Sequence, residues 1–472
     1  MTDCRSGPAG DDDGLGFRVH GDVLRDYHII TGLKRLVFVA SHVGYPMDRT
    51  PLGGGAMVGL QLVRHWSPDA SWSLTVLGSG PETPVGGCDY HRLAERPEGL
   101  VDLSELDYAR FCRDFERETT RWILERIQEF PPEETAIVVN DVSEGPQLAG
   151  LTAAGYRILS LWHVDVVDYF NKLYLRRIVA PEKLTGLHER MRSIGADWIL
   201  PDILNLVFEK QRETVYHSQR MVVPSRAMAD TLMRCYGDLV GYEELSRRIV
   251  VVPWGVWSDP PGPADENRAA ELREYHEMTK DTMVLMTLSR ISPEKGVHLL
   301  IEALRLLEAS GKLIGKDIRL FICGEPAFMM GQAYGRQVRA AAAKLKQVKV
   351  VFPGYLDAAA KQAYFQLASL FVSPSIHESY GLNVVEAMHA GLPVLASDHY
   401  GVRDTLPLDA GRVVHYPTPK KAPPLLAAAL VDMVADRGKL KKMGEAARAA
   451  ASAMPFSSAA DAVRLAALGL IS

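Results

Sequence analysis

The 472-residue sequence predicts an α/β protein made of two parallel-sheet domains. Three observations lead there. Short β-rich runs alternate with longer helical patterns, as a parallel sheet with crossover helices requires. Several of those runs are continuously apolar, the signature of strands covered on both faces. Between Trp254 and Met283 the run Pro260-Pro261-Gly262-Pro263 can neither continue a helix nor enter a central strand, so it reads as the linker between two series of α/β units.

Taken in order, residues 1–16 are acidic and glycine-rich without an apolar run, and are expected to form a disordered tail rather than a signal peptide or a membrane span. Strands are expected at 35–40, 71–77, 136–139, 157–161, 220–224 and 248–252, which places a first domain over 17–255. A second domain over 256–455 begins with a strand at 283–289 and a helix from about Val297. In that helix Leu300, Ala303, Leu304 and Leu307 share one face, and Gly311 supplies a stop. Further strands are expected at 318–323, 348–352, 370–373 and 393–396, with a helix over 383–390. The segment 456–470 reads as a last apolar-periodic helix.

Lys plus Arg number 53 against 58 Asp plus Glu, a net charge of −5, so nothing in the overall charge draws the chain to nucleic acid or anionic lipid. The five cysteines, Cys4, Cys88, Cys112, Cys235 and Cys323, are scattered and lack metal-ligand spacing, which fits a reduced, cytoplasmic setting. Two α/β domains on one linker place a cleft between the carboxyl ends of two sheets, where such folds bind ligands.

Two motifs carry candidate chemistry. In Ser289-Arg290-Ile291-Ser292-Pro293-Glu294-Lys295-Gly296, two cations five residues apart precede a helix start, a pairing suited to a diphosphate and equally found in solvated loops. In the run from Ser375 to Glu386, Glu378 lies in the loop after a strand and Glu386 on the following helix, with Tyr380-Gly381-Leu382-Asn383 between them. Each carboxylate can accept two hydroxyls, although a capped amphipathic helix would read the same way. Gly78-Ser79-Gly80-Pro81-Glu82-Thr83 is a broken GxGxxG and gives little support to a nicotinamide enzyme.

Together the two motifs resemble the retaining nucleotide-sugar glycosyltransferases of the GT-B fold, family four, also called glycosyl transferases group 1. That family carries an Arg and a Lys-Gly, matched by Arg290 and Lys295-Gly296, and a Glu-x7-Glu element, matched by Glu378 and Glu386. Phe321-Ile322-Cys323-Gly324-Glu325-Pro326 looks like its strand and glycine turn, and Val351-Phe352-Pro353-Gly354-Tyr355-Leu356 like its base-binding strand end. Gly391 to Asp398 continues the pattern. In the first half, Pro51-Leu52-Gly53-Gly54-Gly55 looks like the glycine loop that approaches the donor phosphate. Leu161-Trp162-His163-Val164-Asp165 resembles the segment carrying the family's histidine, for which a structural role is an equal alternative. Trp254 replaces the usual Asn, Tyr400 stands where a second Gly is common, and 81–135 does not align.

The resemblance implies two Rossmann-like domains facing across a cleft, the first holding the acceptor and the second the donor, with 456–472 packing back on the first. It implies transfer of a sugar, with retention, from a UDP- or GDP-linked donor. Arg290 and Lys295 would face the diphosphate, Glu386 the ribose, and Glu378 and His163 the donor sugar. The nearby Asp165 is expected to orient the His163 ring. Neither a metal nor another cofactor is expected, because two cations already serve the diphosphate. The absence of a clear basic amphipathic helix favours a soluble small-molecule or glycan acceptor over a lipid-linked one, without excluding peripheral membrane contact. A GT-B epimerase or hydrolase, or a non-catalytic sugar-nucleotide binder, would share the cleft.

Overall fold

The structure, a computed structural model, describes residues 18–19, 34–46, 53–95, 100, 103, 105–165, 167–168, 179–257, 266–327 and 331–471. The tail expected at 1–16, the glycine-loop residues Pro51 and Leu52, and the prolines at 260–263 lie outside the described residues.

In chain order the first domain contains β1 (Arg18–Val19), β2 (Lys34–Val39), α1 (Gly54–Trp66), β3 (Trp72–Gly78), β4 (Asp89–Arg92), α2 (Glu105–Glu125), β5 (Thr135–Val139), α3 (Leu148–Ala153) and β6 (Arg157–Leu161). It continues with α4 (Pro181–Ser193), α5 (Asp202–His217), β7 (Arg220–Val223), α6 (Arg226–Val240), α7 (Tyr242–Arg248) and β8 (Ile249–Val251). The second contains α8 (Glu266–Tyr275), β9 (Met283–Leu288), α9 (Val297–Ala309), β10 (Ile318–Cys323), α10 (Gly331–Ala342), β11 (Val348–Gly354), α11 (Ala358–Leu367) and β12 (Leu370–Ser373). After these come α12 (Leu382–His389), β13 (Val394–Ser397), α13 (Tyr400–Thr405), β14 (Gly411–Val414), α14 (Ala422–Val434), α15 (Arg437–Ser452) and α16 (Phe456–Leu468).

Two sheets result, ordered β1-β8-β7-β6-β5-β2-β3-β4 and β11-β10-β9-β12-β13-β14. Every pairing between their strands is parallel. The expected strands are present within a residue or two. Thr135–Val139 and Ile318–Cys323 are buried at every position, which explains their largely apolar text, broken only by Thr135 and Arg319. The unaligned region 81–135 contains β4 and the long α2; Asp89-Tyr90-His91-Arg92 carries no apolar alternation because it is an edge strand.

The last helix, α16, leaves the second domain and packs on α1, β2, β5, β6 and β7 of the first. The chain therefore passes between the domains twice, and the two passages touch. The Val256 N–H donates to Met454 O at 2.9 Å and the Phe456 N–H to Val256 O at 2.7 Å. Gly255, at φ 68°, borders this crossing, and a side chain there would meet Met454 O at 2.1 Å. The carboxyl ends of the inner strands of both sheets face each other beside it.

Candidate active site

Three consecutive glycines of the first domain each lie against a different partner. A Cβ on Gly53 would sit 3.6 Å from the Arg290 guanidinium, one on Gly54 3.1 Å from Leu382 Cδ1, and one on Gly55 3.0 Å from His163 Cδ2. Gly53 also has φ 102°, a conformation that only glycine adopts without strain. The glycine run thus brings the start of α1 close to the loop after β9, the start of α12 and the imidazole after β6.

His163 is held from three sides. Its Nε2 lies 3.0 Å from Asn140 Oδ1, and its ring centroid lies 5.6 Å from that of Trp254, which is fully buried and backed by Phe456 of α16. Burial lowers its pKa to about 4, against the opposing pull of Asp141, so the ring is neutral at pH 7. Asp165 does not orient it; the Asp165 Oδ1 accepts instead from the Asp168 N–H at 2.9 Å, and Asn140 takes the place expected of Asp165.

Beside this lies a cluster that sequence reasoning missed. His42 Nδ1 is 2.8 Å from Ser41 Oγ and 3.3 Å from Asp141 Oδ2, and its Nε2 is 3.9 Å from Glu144 Oε1. Burial opposes charge on His42, but Asp141, and then Glu144, outweigh it and raise the pKa to about 9. The Asp141 carboxyl is correspondingly held below its ordinary value, while burial pushes Glu144 up. Glu144 also accepts from the Tyr108 hydroxyl.

Across the cleft, Lys295 ends a single 3₁₀ turn, and Gly296 follows at φ 64° where a Cβ would meet Pro374 O at 2.1 Å. The Lys295 ammonium pairs with Glu378. Burial works against the Glu378 carboxylate, yet Lys295, His399 and Arg290 together hold its pKa below the usual range. Arg290 Nη2 is 3.9 Å from Glu294 Oε1. Glu294 in turn accepts from the Ser292 hydroxyl, while its main-chain carbonyl receives the Ile376 N–H at 2.7 Å. These contacts bind the Arg-Lys loop to the Glu378 loop.

Glu386, on the first turns of α12, accepts from Lys361 of α11 at 2.7 Å, a partner with no local sequence signal. Gly381 precedes α12 at φ 86°; the Val384 and Val385 N–H groups both donate to Gly381 O, and Val384 also to Asn383 Oδ1, so an anion would meet the Leu382 and Asn383 N–H groups. Gly324 and Gly354 lie together at the ends of β10 and β11, the Gly324 N–H donating to Gly354 O at 2.7 Å, with the Tyr355 ring 41% exposed beyond them.

Two residues expected at the ligand have side chains committed to the scaffold. The buried Tyr380 hydroxyl accepts from the Gly255 N–H at 2.9 Å, and Asn383 Nδ2 donates to Leu288 O at 2.8 Å, tying α12 to the end of β9.

Residues 269–450 match the family model of the glycosyl transferases group 1. The chain is similar to a D-inositol 3-phosphate glycosyltransferase of Xylanimonas cellulosilytica, 27% identical over 54% of this chain and 57% of that one. It is also similar to a lipopolysaccharide 1,2-N-acetylglucosaminetransferase of Salmonella typhimurium, 30% identical over 29% of this chain and 36% of that one. The chain spans about half the length of the curated relatives it matches. Among solved structures, sucrose-phosphate synthase from Thermosynechococcus elongatus superposes with a TM-score of 0.63 at 18% identity, covering 90% of this chain and 96% of the other. Anabaena HepE in complex with UDP-glucose gives 0.59 at 15%, covering 91% and 98%. The two-domain arrangement is the GT-B fold.

Proposed function

We propose that this chain, whose second domain is a glycosyl transferases group 1 domain, moves a sugar with retention from a nucleoside-diphosphate sugar to a small-molecule or glycan acceptor. The observation that carries this reading is the convergence of Arg290, Lys295 and Glu378 opposite the glycine run 53–55.

Departure of the nucleoside diphosphate develops negative charge on its leaving oxygen. Arg290 and Lys295, fixed by Glu294 and Glu378 respectively, neutralise that charge without reorganising. The first-turn N–H groups of α12 add partial positive charge on the same side. Glu386 accepts the two ribose hydroxyls, with Lys361 orienting its carboxylate. Glu378 and His163 hold the donor sugar from opposite walls, and the Gly53 to Gly55 backbone closes over the phosphates where side chains would collide. With two cations at the leaving group, no metal ion is required.

The donor is a UDP- or GDP-sugar; UDP-glucose is the first to try, because the HepE structure of the same fold carries it. The test is consumption of UDP-glucose and GDP-mannose with pooled acceptors, read as nucleoside diphosphate release and as the anomeric configuration of the product by NMR. An α-linked product from an α-linked donor supports the reading. Inversion, or binding of nucleotide without any sugar transfer, overturns it.

A further inference from the structure

We propose that Asn140 is a positioning residue: it fixes His163 as the Nε2–H tautomer, so that Nδ1 meets the donor sugar as a hydrogen-bond acceptor and selects a free hydroxyl there. The proposal rests on the glycosyl-transfer reading for its substrate, and on geometry alone for the tautomer. Asn140 Nδ2 lies 3.3 Å from Gly55 O and 3.2 Å from Asp141 Oδ1. Both of those atoms only accept, so the end of the amide that faces them is the NH₂. The other end, Oδ1, is then the oxygen 3.0 Å from His163 Nε2, and an amide oxygen can only accept. His163 must therefore donate through Nε2, and the second nitrogen of a neutral ring carries a lone pair.

Nδ1 has no hydrogen-bond partner among the described residues. A sugar hydroxyl can donate to it, whereas an ether, an acyl group or a deoxy carbon at that position cannot. Helix α1 is shaped to the arrangement. Gly55 leaves room for the imidazole, and Gly59, one turn later, for the amide, where a Cβ would lie 3.1 Å from Asn140 Nδ2. The ionisable groups facing His163 are Asp141 after β5 and His42 after β2; α1 presents Gly55 and the domain junction presents Trp254, neither of which titrates. His42 holds Asp141 in its accepting, ionised form, which favours the same amide orientation.

The experiment is long-range ¹H–¹⁵N NMR of the histidine rings in the full chain at pH 7, with the His163 signal assigned by its loss in His163→Gln. The expected spectrum is a neutral Nε2–H imidazole; an Nδ1–H tautomer or an imidazolium overturns the proposal. Asn140→Asp replaces a neutral acceptor by an anion, which should raise the His163 pKa by a unit or more. Turnover of UDP-glucose should then fall at low pH and recover as pH rises, while the KM changes less than about threefold. An unshifted titration together with an unchanged pH profile overturns the tautomer lock. If Asn140→Asp does not fold, Asn140→Ser serves, and loss of the Nε2–H preference is expected. Failure of the wild-type chain to consume any nucleotide sugar would sink the transfer reading separately, and the ring spectrum would still decide the tautomer.

Discussion

The Tyr400 hydroxyl donates to Asp168 Oδ2 at 2.6 Å, joining α13 of the second domain to the segment after β6 of the first. Tyr400 is one of the departures from the family pattern, and this bond gives the departure a physical role. Asp168 is 3% exposed, and His377 Nδ1 lies 4.0 Å from the same oxygen. Close by, the Ser225 hydroxyl donates to Ser379 O at 3.1 Å and the Arg226 N–H to Asp404 at 2.6 Å. The two domains are therefore joined by hydrogen bonds as well as by packing.

Tyr400→Phe removes one bond to a buried carboxylate and is expected to cost about 1.5–3 kcal/mol. Thermal melts should show a lower Tm, and solution scattering a larger radius of gyration without nucleotide. An unchanged melt and an unchanged radius would show that the bond contributes nothing to closure.

Arg290→Ala and Lys295→Ala should each lower turnover at least about tenfold, since a charged contact to a leaving group is worth roughly 2–4 kcal/mol in the transition state. The two should differ in pH behaviour. Lys295→Ala removes the cation that keeps Glu378 ionised against burial, so the carboxyl pKa should climb and turnover should fall further as pH is lowered. Near-normal rates in both variants would displace the diphosphate from this loop.

Calorimetry separates the two glutamates. Glu386→Gln should weaken binding of the bare nucleoside diphosphate, and Lys361→Ala should do so more mildly by releasing the carboxylate it orients. Glu378→Gln should leave nucleotide affinity nearly intact and damage donor turnover. The reverse ranking would exchange their roles.

The His42 to Asp141 pair makes a prediction about alkaline pH. A group whose folded pKa is raised contributes stability that is complete below its unfolded value of about 6.5 and disappears as pH climbs through the folded value. For His42 that value is about 9, so Tm should decline between roughly pH 7 and 10. In His42→Gln the decline over that window should be smaller, and an identical decline would contradict the assignment.

The strands and the Arg-Lys and Glu-x7-Glu loops were legible in the sequence because each is written locally, as an apolar run or as a motif beside a glycine. Asn140, Gly59 and Lys361 were not. Nothing in Val138-Val139-Asn140-Asp141 distinguishes an amide that bridges Gly55 and His163 from one exposed to water, because its partners lie 85 and 23 residues away. The scaffold contacts of Tyr380 and Asn383 were hidden for the same reason: their side chains reach Gly255 and Leu288, contacts that only the folded chain creates. Trp254, read as a departure, proved to be the wall behind His163.

The return of α16 has a consequence for biosynthesis. Trp66, at the end of α1, donates its indole N–H to Ala460 O at 3.0 Å, and Lys34 at the start of β2 donates to Ile471 O at 2.6 Å. During vectorial synthesis the first domain cannot complete its own core until the second has been made and α16 has left the ribosome. Its apolar face over α1 and β2 stays uncovered for nearly the whole time of translation, and a stop near residue 455 would strip that cover from the first domain while leaving every strand of the second in place.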